Sequence, residues 1–170
     1  VGEEGAPLPS SWEEGPLLEG PLALPEEGEV EIPGTGWRVR VRTVEVHAPG
    51  EMVLAAREDR WRAFLRAEAL QGPLVLRPRR PGDRFHPSGM GGASVLVREF
   101  LINVKLPRQG RDRWPLLVSG EAIAWVVGWR VDERFLLTPT TRRAVEVWLR
   151  REAGEGASGA EGGAPRCKDG

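Results

Sequence analysis

Residues 77–92, with the sequence RPRRPGDRFHPSGMGG, cannot be helix or regular strand over their whole length. The segment holds three prolines and four glycines. Proline fixes φ and lacks a backbone donor, whereas glycine tolerates positive φ. The segment also holds four arginines, whose paired N–H donors suit phosphate oxygens. We therefore predict a stiff loop that holds guanidinium groups in place and loses little entropy when it binds phosphates.

The charges of the chain are unevenly distributed, although its formal net charge is −1. Residues 1–33 hold nine acidic and no basic side chains, and we interpret residues 1–28 as a solvated, acidic, Pro/Gly-rich lead-in. Residues 77–113 hold nine basic and three acidic side chains, a local charge of +6. A basic segment within a near-neutral chain favours a polyanionic partner.

Hydrophobic periodicity predicts one folded domain over residues 29–150. Apolar residues alternate with arginines from Trp37, and the pattern shifts near Thr43, which predicts either a bulge there or a crossing from one sheet environment to another. Residues 151–170 have almost no large apolar side chains, which predicts a disordered tail. The predicted strands are 29–32, 37–46, 73–77, 115–119, 122–127, 129–138 and 143–150, with a helix as the alternative for the last.

Two segments have apolar residues at helical spacing. Trp61, Phe64 and Leu65 have this spacing within residues 58–72, which predicts an amphipathic helix. The second predicted helix, Ser94–Pro107, would begin at a serine N-cap and end at a proline.

Side chains suited to metal, redox or nucleophilic chemistry are scarce. The single cysteine, Cys167, cannot form an internal disulfide, and two histidines without a second cysteine provide no zinc ligand set. His86 has no carboxylate partner visible in the sequence and is predicted to be a loop histidine. We expect no catalytic and no metal-binding residue in this chain. Without a signal peptide or an apolar run long enough to span a membrane, we expect a cytoplasmic protein.

The arginines have a second interpretation, which is that they hold loops together. Arg79 and Arg84 would then pair with Asp83, Asp132 or Glu133. The composition leaves both interpretations open.

Large apolar side chains near the loop are predicted to fill the core. Trp125 is also predicted to lie in the core, whereas Trp129, which follows a glycine, is the candidate for an exposed tryptophan that stacks on bases. The other predicted core residues are Phe85, Met90, Phe100 and Leu101.

Spaced motifs follow one another from Arg77 to Phe135: Arg-x-Arg, Gly-Asp-Arg, Pro-x-Gly-Met, Lys-x-Pro after a short helix, Arg, Pro-Leu-Leu, Gly-x-Arg and Glu-Arg-Phe. Together they resemble the C-terminal domain of tRNA(Ile)-lysidine synthetases, most densely over residues 77–150. Members of that family usually carry two or three lysines where this chain has Ala93, Ser94 and Val95. The motifs fall on Arg77, Arg79, Gly82, Asp83, Arg84, Pro87, Gly89, Met90, Lys105, Pro107, Arg111, Pro115, Gly128, Arg130, Glu133, Arg134 and Phe135.

The resemblance implies an enzyme that uses ATP and Mg²⁺ to activate the wobble cytidine of tRNA(Ile) as an adenylate and then joins lysine to it. The family places this chemistry in an N-terminal PP-loop domain marked by Ser-Gly-Gly-x-Asp-Ser, a motif absent from these 170 residues. We expect the chain to be a fragment of such an enzyme, without a cofactor or ligation activity of its own. The implied partners are tRNA(Ile) and the PP-loop catalytic domain.

The implied fold is α+β, a layered domain with a β-sandwich of unusual topology, similar to a domain of the phenylalanyl-tRNA synthetase β subunit. The family's C-terminal domain is thought to grip tRNA away from the reacting base. Contacts to RNA phosphates and 2′-hydroxyls should dominate, because the A-form major groove is too deep and narrow for side chains. The candidate RNA-binding residues are Arg77, Arg79, Arg80, Arg84, Arg98, Lys105, Arg111, Arg113 and Arg130, and the loop-shaping residues are Gly82, Asp83, Pro87, Gly89 and Met90.

The alternative is a non-catalytic structural or interaction domain. Its basic loop would dock on the missing catalytic domain or on the acidic residues 1–33, since opposite charges within one chain can pair.

Overall fold

A computed structural model describes residues 15–152, whose regular structure is mostly antiparallel strand. Short helices connect the strands: α1 Pro49–Arg57, α2 Val97–Asn103, α3 Arg108–Arg111, and the 3₁₀ turns Ala67–Ala69 and Glu133–Phe135. The predicted α+β class is therefore confirmed only as a mostly β fold with few helices. The strands are β1 Leu22–Ala23, β2 Gly28–Ile32, β3 Trp37–Glu45, β4 Arg62–Arg66, β5 Leu74–Pro78, β6 Arg84–Phe85, β7 Val95–Leu96, β8 Pro115–Ser119, β9 Ala122–Val126, β10 Arg130–Val131 and β11 Arg143–Arg151.

The strands form two larger antiparallel sheets and one two-stranded ribbon. The first sheet has the strand order β1-β5-β8-β9-β10, the second has the order β2-β3-β11-β4, and β6 pairs with β7. Leu76, Leu117 and Trp125 of the first sheet share one buried cluster with Val39 and Val147 of the second. The two sheets therefore pack against each other through their alternating apolar side chains.

A second buried cluster includes other side chains of the first sheet. Leu116 and Val126 of that sheet pack there with Phe85 of β6 and Leu101 of α2. Trp61 packs against both clusters. Strand β6 lies within the Arg-rich segment 77–92, and α2 follows this segment closely. The second cluster therefore anchors the loop to the first sheet.

Strand β11 lies inside the second sheet, where it pairs with β3 over nine residues and with β4 over five. This pairing confirms the strand predicted at 143–150 and excludes the helical alternative. Glu146 of β11 is fully buried, and its carboxylate accepts hydrogen bonds from Arg42 Nε at 2.5 Å and from Arg62 Nε at 2.6 Å. The guanidinium groups of Arg40 and Arg62 also lie 4.9 Å from the ring centroid of Trp148.

The helix predicted at 58–72 is wrong. These residues form β4 and a 3₁₀ turn, and a helix lies earlier in the chain, at Pro49–Arg57, with proline in its first turn. The apolar residues of β4 are covered on both faces: Leu65 joins the core, while Phe64 lies 5.0 Å from the guanidinium carbon of Arg62. Pairing with the distant strand β11 therefore overrides the local helical spacing.

Other predicted boundaries change less. Strand β3 pairs with β11 in one continuous register, so there is no bulge at Thr43. Helix α2 begins at Val97 rather than at Ser94, and residues 129–138 form only β10 and a 3₁₀ turn. The strands predicted at 29–32, 37–46, 73–77, 115–119 and 122–127 are confirmed to within about one residue at each end.

Part of the acidic lead-in is packed rather than solvated. Leu17, Leu18 and Leu24 are buried, and β1 pairs with β5. Residues 15–28 therefore pack with the folded unit, and the division of the chain into domains stays a prediction. The first fourteen residues lie outside the described residues, as do residues 153–170 of the tail predicted at 151–170, whereas Arg151 belongs to β11. No helix within residues 15–152 has both the length and the apolar character needed to cross a membrane.

We expect Glu146→Ala to lower the free energy of unfolding by roughly 1–3 kcal/mol, because two arginines lose a shared buried acceptor but stay partly in water. Urea denaturation followed by circular dichroism measures the change. Glu29→Ala is the matched control, since it removes a half-exposed carboxylate 3.2 Å from Arg38 Nε and should cost less than about 1 kcal/mol. Equal losses in the two variants would contradict a structural role for Glu146.

Candidate nucleic-acid interface

The Arg-rich loop is fixed at its start by an ion pair between the buried Arg77 and the partly buried Asp83. Arg77 is only 8% exposed and donates two hydrogen bonds to the Asp83 carboxylate, at 2.8 and 3.1 Å. The Arg80 backbone N–H donates to the same carboxylate at 2.6 Å, and Gly82 closes the turn with a φ of 87°. Burial alone would raise the pKa of Asp83, but the hydrogen bonds from Arg77 and Arg80 and their positive charges together lower it. Arg77 and Asp83 therefore form the frame of the loop.

A fully buried carboxylate, that of Asp132, fixes the later part of the loop. Asp132 accepts hydrogen bonds from Arg134 Nε at 2.9 Å and Nη2 at 3.0 Å, and from the His86 backbone N–H at 2.8 Å. Its Oδ2 also lies 3.3 Å from His86 Nδ1, so the prediction that His86 lacks a carboxylate partner is wrong. Burial would raise the pKa of Asp132, but the bonds from Arg134 and from the backbone lower it overall. Pro87, a predicted loop-shaping residue, forms an isolated β-bridge with Asp132.

The turn that follows the Asp132 anchor along the loop depends on glycine. Gly89 has a φ of 87°, and a Cβ added there would lie 3.3 Å from Arg130 Nη1, so glycine allows that guanidinium to approach. The Gly92 backbone N–H donates to Glu133 Oε1 at 3.1 Å. Met90 is 46% exposed, so the prediction that it fills the core is wrong.

The remaining predicted RNA-binding residues fall into two groups. Arg80 and Lys105 make no side-chain hydrogen bond or ion pair within residues 15–152, and Arg98 has one exposed partner, Glu99, at 3.6 Å. The other group is engaged by protein atoms: Arg79 with Asp112 at 3.0 Å, Arg84 with Ser94 Oγ at 2.9 Å, Arg111 with the Leu106 carbonyl at 2.9 Å, Arg113 with Glu19 at 2.6 Å, and Arg130 with the Ser88 carbonyl at 2.6 Å.

Three of these arginines meet at one cavity. Arg79, Arg80 and Arg98 line a space of about 290 Å³, with Asp83 at its edge already paired to Arg77. Arg98 reaches the loop because β7, which precedes α2, pairs with β6. Such a group of forked donors suits a phosphate or another oxyanion. Within residues 15–152, no three His, Cys, Asp or Glu side chains are grouped to hold a metal ion.

Arg130 lines a different cleft. That cleft also contains Arg57, Arg60 and Arg62, which were not predicted as functional residues. The alternation of side chains along a strand could have indicated that Arg62 lines this cleft only if β4 had been recognised as a strand. In the predicted helix, the Arg62 side chain would lie in a different place. The helix that carries Arg57 was not predicted either.

Comparison with known proteins identifies the family. A family model described as "TilS substrate C-terminal domain" matches residues 74–151. The tRNA(Ile)-lysidine synthase of Symbiobacterium thermophilum is 41% identical over 139 residues, which cover 82% of this chain and 27% of that protein. The tRNA(Ile)-lysidine synthase of Dehalococcoides mccartyi is 36% identical over 115 residues, or 68% of this chain and 23% of that protein.

Through residues 74–151, the chain belongs to the tRNA(Ile)-lysidine synthase C-terminal domain family. A solved structure described as "Crystal structure of TILS C-terminal domain" aligns with a TM-score of 0.63 at 23% identity, over 77% of this chain and 95% of that chain. This likeness supports the fold. The chain spans only about a quarter of the length of the two curated relatives named above.

The departure from the family pattern at residues 93–95 has a structural counterpart. Ser94, which stands where family members usually carry lysine, accepts hydrogen bonds from Arg84 Nε at its hydroxyl and from Arg84 Nη2 at its carbonyl. The position therefore orients a cation instead of supplying one.

We expect the free energy of unfolding to decrease as the pH falls below about 4. Both Asp83 and Asp132 have a lower pKa in the folded chain, so their stabilisation is complete above the unfolded value of about 3.9 and is lost as the pH falls through the folded values. Urea titrations between about pH 7 and pH 3 measure the loss. Asp83→Asn and Asp132→Asn should be less stable at neutral pH and less sensitive to acid, and an unchanged acid dependence in both would contradict the assignment.

Proposed function

We propose that this chain is the tRNA-binding part of an enzyme that joins lysine to the wobble cytidine of tRNA(Ile). The observation that carries the proposal is the cavity lined by Arg79, Arg80 and Arg98, in a domain whose relatives are named tRNA(Ile)-lysidine synthases. The use of ATP and Mg²⁺ and the transfer of lysine are assigned to the part of the enzyme outside this chain. A fold like that of a phenylalanyl-tRNA synthetase β-subunit domain would suit the same role.

The loop presents cations without exposing the carboxylates that hold it. Asp83 and Asp132 are turned inward and neutralised by Arg77 and Arg134. Arg80 and Arg98 thus keep most of their positive charge for an external anion. RNA phosphates are such anions, and the rigid frame limits the entropy that the arginines lose on binding.

One contact favours the alternative, in which the basic segment docks on the acidic lead-in. Arg113 donates to Glu19 Oε2 at 2.6 Å and lies 3.5 Å from the Leu18 carbonyl. This pair removes Arg113 from the proposed RNA surface, since its charge is already compensated. It leaves Arg80 and Arg98 available, so tRNA binding remains the function we propose.

We expect Arg80→Glu and Arg98→Glu each to weaken tRNA binding about fivefold or more, because each reversal removes a phosphate contact. The slope of log affinity against log salt should become shallower by about 0.7–0.9 for each contact removed. A gel-shift titration of the 170-residue chain with tRNA(Ile) at several salt concentrations measures both quantities.

Arg142→Glu is the matched control for these variants. It makes the same change in net charge at an exposed arginine outside the cavity, and should leave the slope almost unchanged. Equal losses in all three variants would indicate a general charge effect and would remove Arg80 and Arg98 from the site. If the chain alone does not bind tRNA and binds a separately supplied catalytic domain instead, the docking alternative is correct.

A further inference from the structure

A cleft of about 650 Å³ is separate from the first cavity and is lined by a later part of the loop. The phosphate contacts proposed above do not involve this cleft. Its walls come from α1, β4, the turn from β9 to β10, and the loop segment at Ser88 and Gly89. The volume falls within the range of small-molecule sites, about 300–1,000 Å³. A space of this size accepts a single nucleotide but not an RNA duplex.

The lining of the cleft is cationic. It contains Arg57, Arg60, Arg62 and Arg130, and none of the described residues that line it is acidic. Arg62 donates to Glu146, a carboxylate that it shares with Arg42. Arg57, at the exposed C-terminal end of α1, makes no side-chain hydrogen bond or ion pair within residues 15–152, and Arg130 donates only to a carbonyl oxygen. An anion bound here would therefore meet uncompensated positive charge.

The cleft also has a flat, aromatic component. The guanidinium of Arg60 lies 5.0 Å from the ring centroid of Trp61 and 4.9 Å from that of Trp129, and its Nε donates to the Gly128 carbonyl at 3.2 Å. Burial lowers the pKa of Arg60, because desolvation disfavours the charged guanidinium. Planar guanidinium and indole groups are the surfaces on which unpaired bases stack.

The apolar side chains complete a site of mixed character. Val53 of α1 and the consecutive residues Leu136 and Leu137 line the cleft together with Trp129. A nucleobase has an apolar face and a polar edge, and its attached phosphate is an anion. A site with apolar walls, a stacked guanidinium and further arginines matches all three properties.

We propose that this cleft binds one unpaired nucleotide of RNA, with the base against Arg60 and Trp129 and the phosphate on Arg57 and Arg130. The proposal rests on the proposed tRNA-binding function and adds a second, structurally separate contact to it. The first cavity would bind backbone phosphate wherever it occurs, whereas the cleft would require a nucleotide free of base pairing.

Titration of the 170-residue chain with a 5′-phosphorylated single-stranded RNA tetranucleotide, followed by tryptophan fluorescence, tests this proposal. We expect saturable quenching, because a base that stacks in the cleft changes the surroundings of Trp129. Arg57→Gln and Arg130→Gln should each raise the dissociation constant about fivefold or more. Blunt duplex RNA of the same sequence should show no dependence on Arg57.

Arg142→Gln is the matched control, since it removes one exposed positive charge outside the cleft and should leave the dissociation constant unchanged. Arg57→Gln is the decisive variant, because Arg57 is exposed and its loss should not disturb folding, which circular dichroism checks. Tetranucleotide binding that is the same in Arg57→Gln, Arg130→Gln and wild type would overturn the proposal. So would binding of an acidic peptide, but not of the tetranucleotide, with the same dependence on Arg57.

The two proposals fail in different ways. If the wild-type chain binds tRNA(Ile) in a salt-dependent manner but does not bind the tetranucleotide, the cleft assignment is wrong and the tRNA-binding function stands. If it binds neither RNA, both are wrong.

Discussion

Ion pairs between arginines and carboxylates that are buried or partly buried fix this fold at the places where apolar packing does not. Glu146 connects strands of the second sheet, the partly buried Asp83 closes the start of the Arg-rich loop, and Asp132 holds its later part. A buried carboxylate is stable only when a positive charge and hydrogen bonds compensate its desolvation. Removal of one partner leaves the other charge buried without compensation for its desolvation free energy. Each pair therefore permits one arrangement of its two chain segments.

These pairs also determine which arginines can act on another molecule. Arg77 and Arg134 each pair with a carboxylate of their own, which compensates their positive charge within the protein, whereas Arg62 shares Glu146 with Arg42. Arg80 and Arg57 have no such partner within residues 15–152. The abundance of arginine in the sequence thus overstates the charge that is available for binding, and the distribution of carboxylates decides where that charge remains.

The sequence predicted most of the longer strands because alternation is a local property: Trp37, Val39 and Val41 alternate with arginines in β3, and Val145, Val147 and Leu149 occupy every second position of β11. It failed at β4, because the apolar spacing there fits a helix and a strand equally. Pairing with β11, about 80 residues later in the chain, determines that these residues form a strand. The roles of single arginines depend on equally distant contacts: Arg79 meets Asp112 across 33 positions, and Arg62 meets Glu146 across 84. The Arg77–Asp83 and Arg134–Asp132 pairs do lie within local motifs, and even there the sequence pattern identified the residues without their burial.

One rigid loop contributes to both proposed RNA contacts. Its first part supplies Arg79 and Arg80 to the smaller cavity, and its later part supplies Ser88 and Gly89 to the cleft. The Asp83 and Asp132 anchors fix the backbone between these parts, so the two sites keep a set separation before any RNA binds. The entropic cost of aligning them is then met during folding rather than during binding, which favours an RNA whose unpaired nucleotide and backbone phosphate have the matching separation.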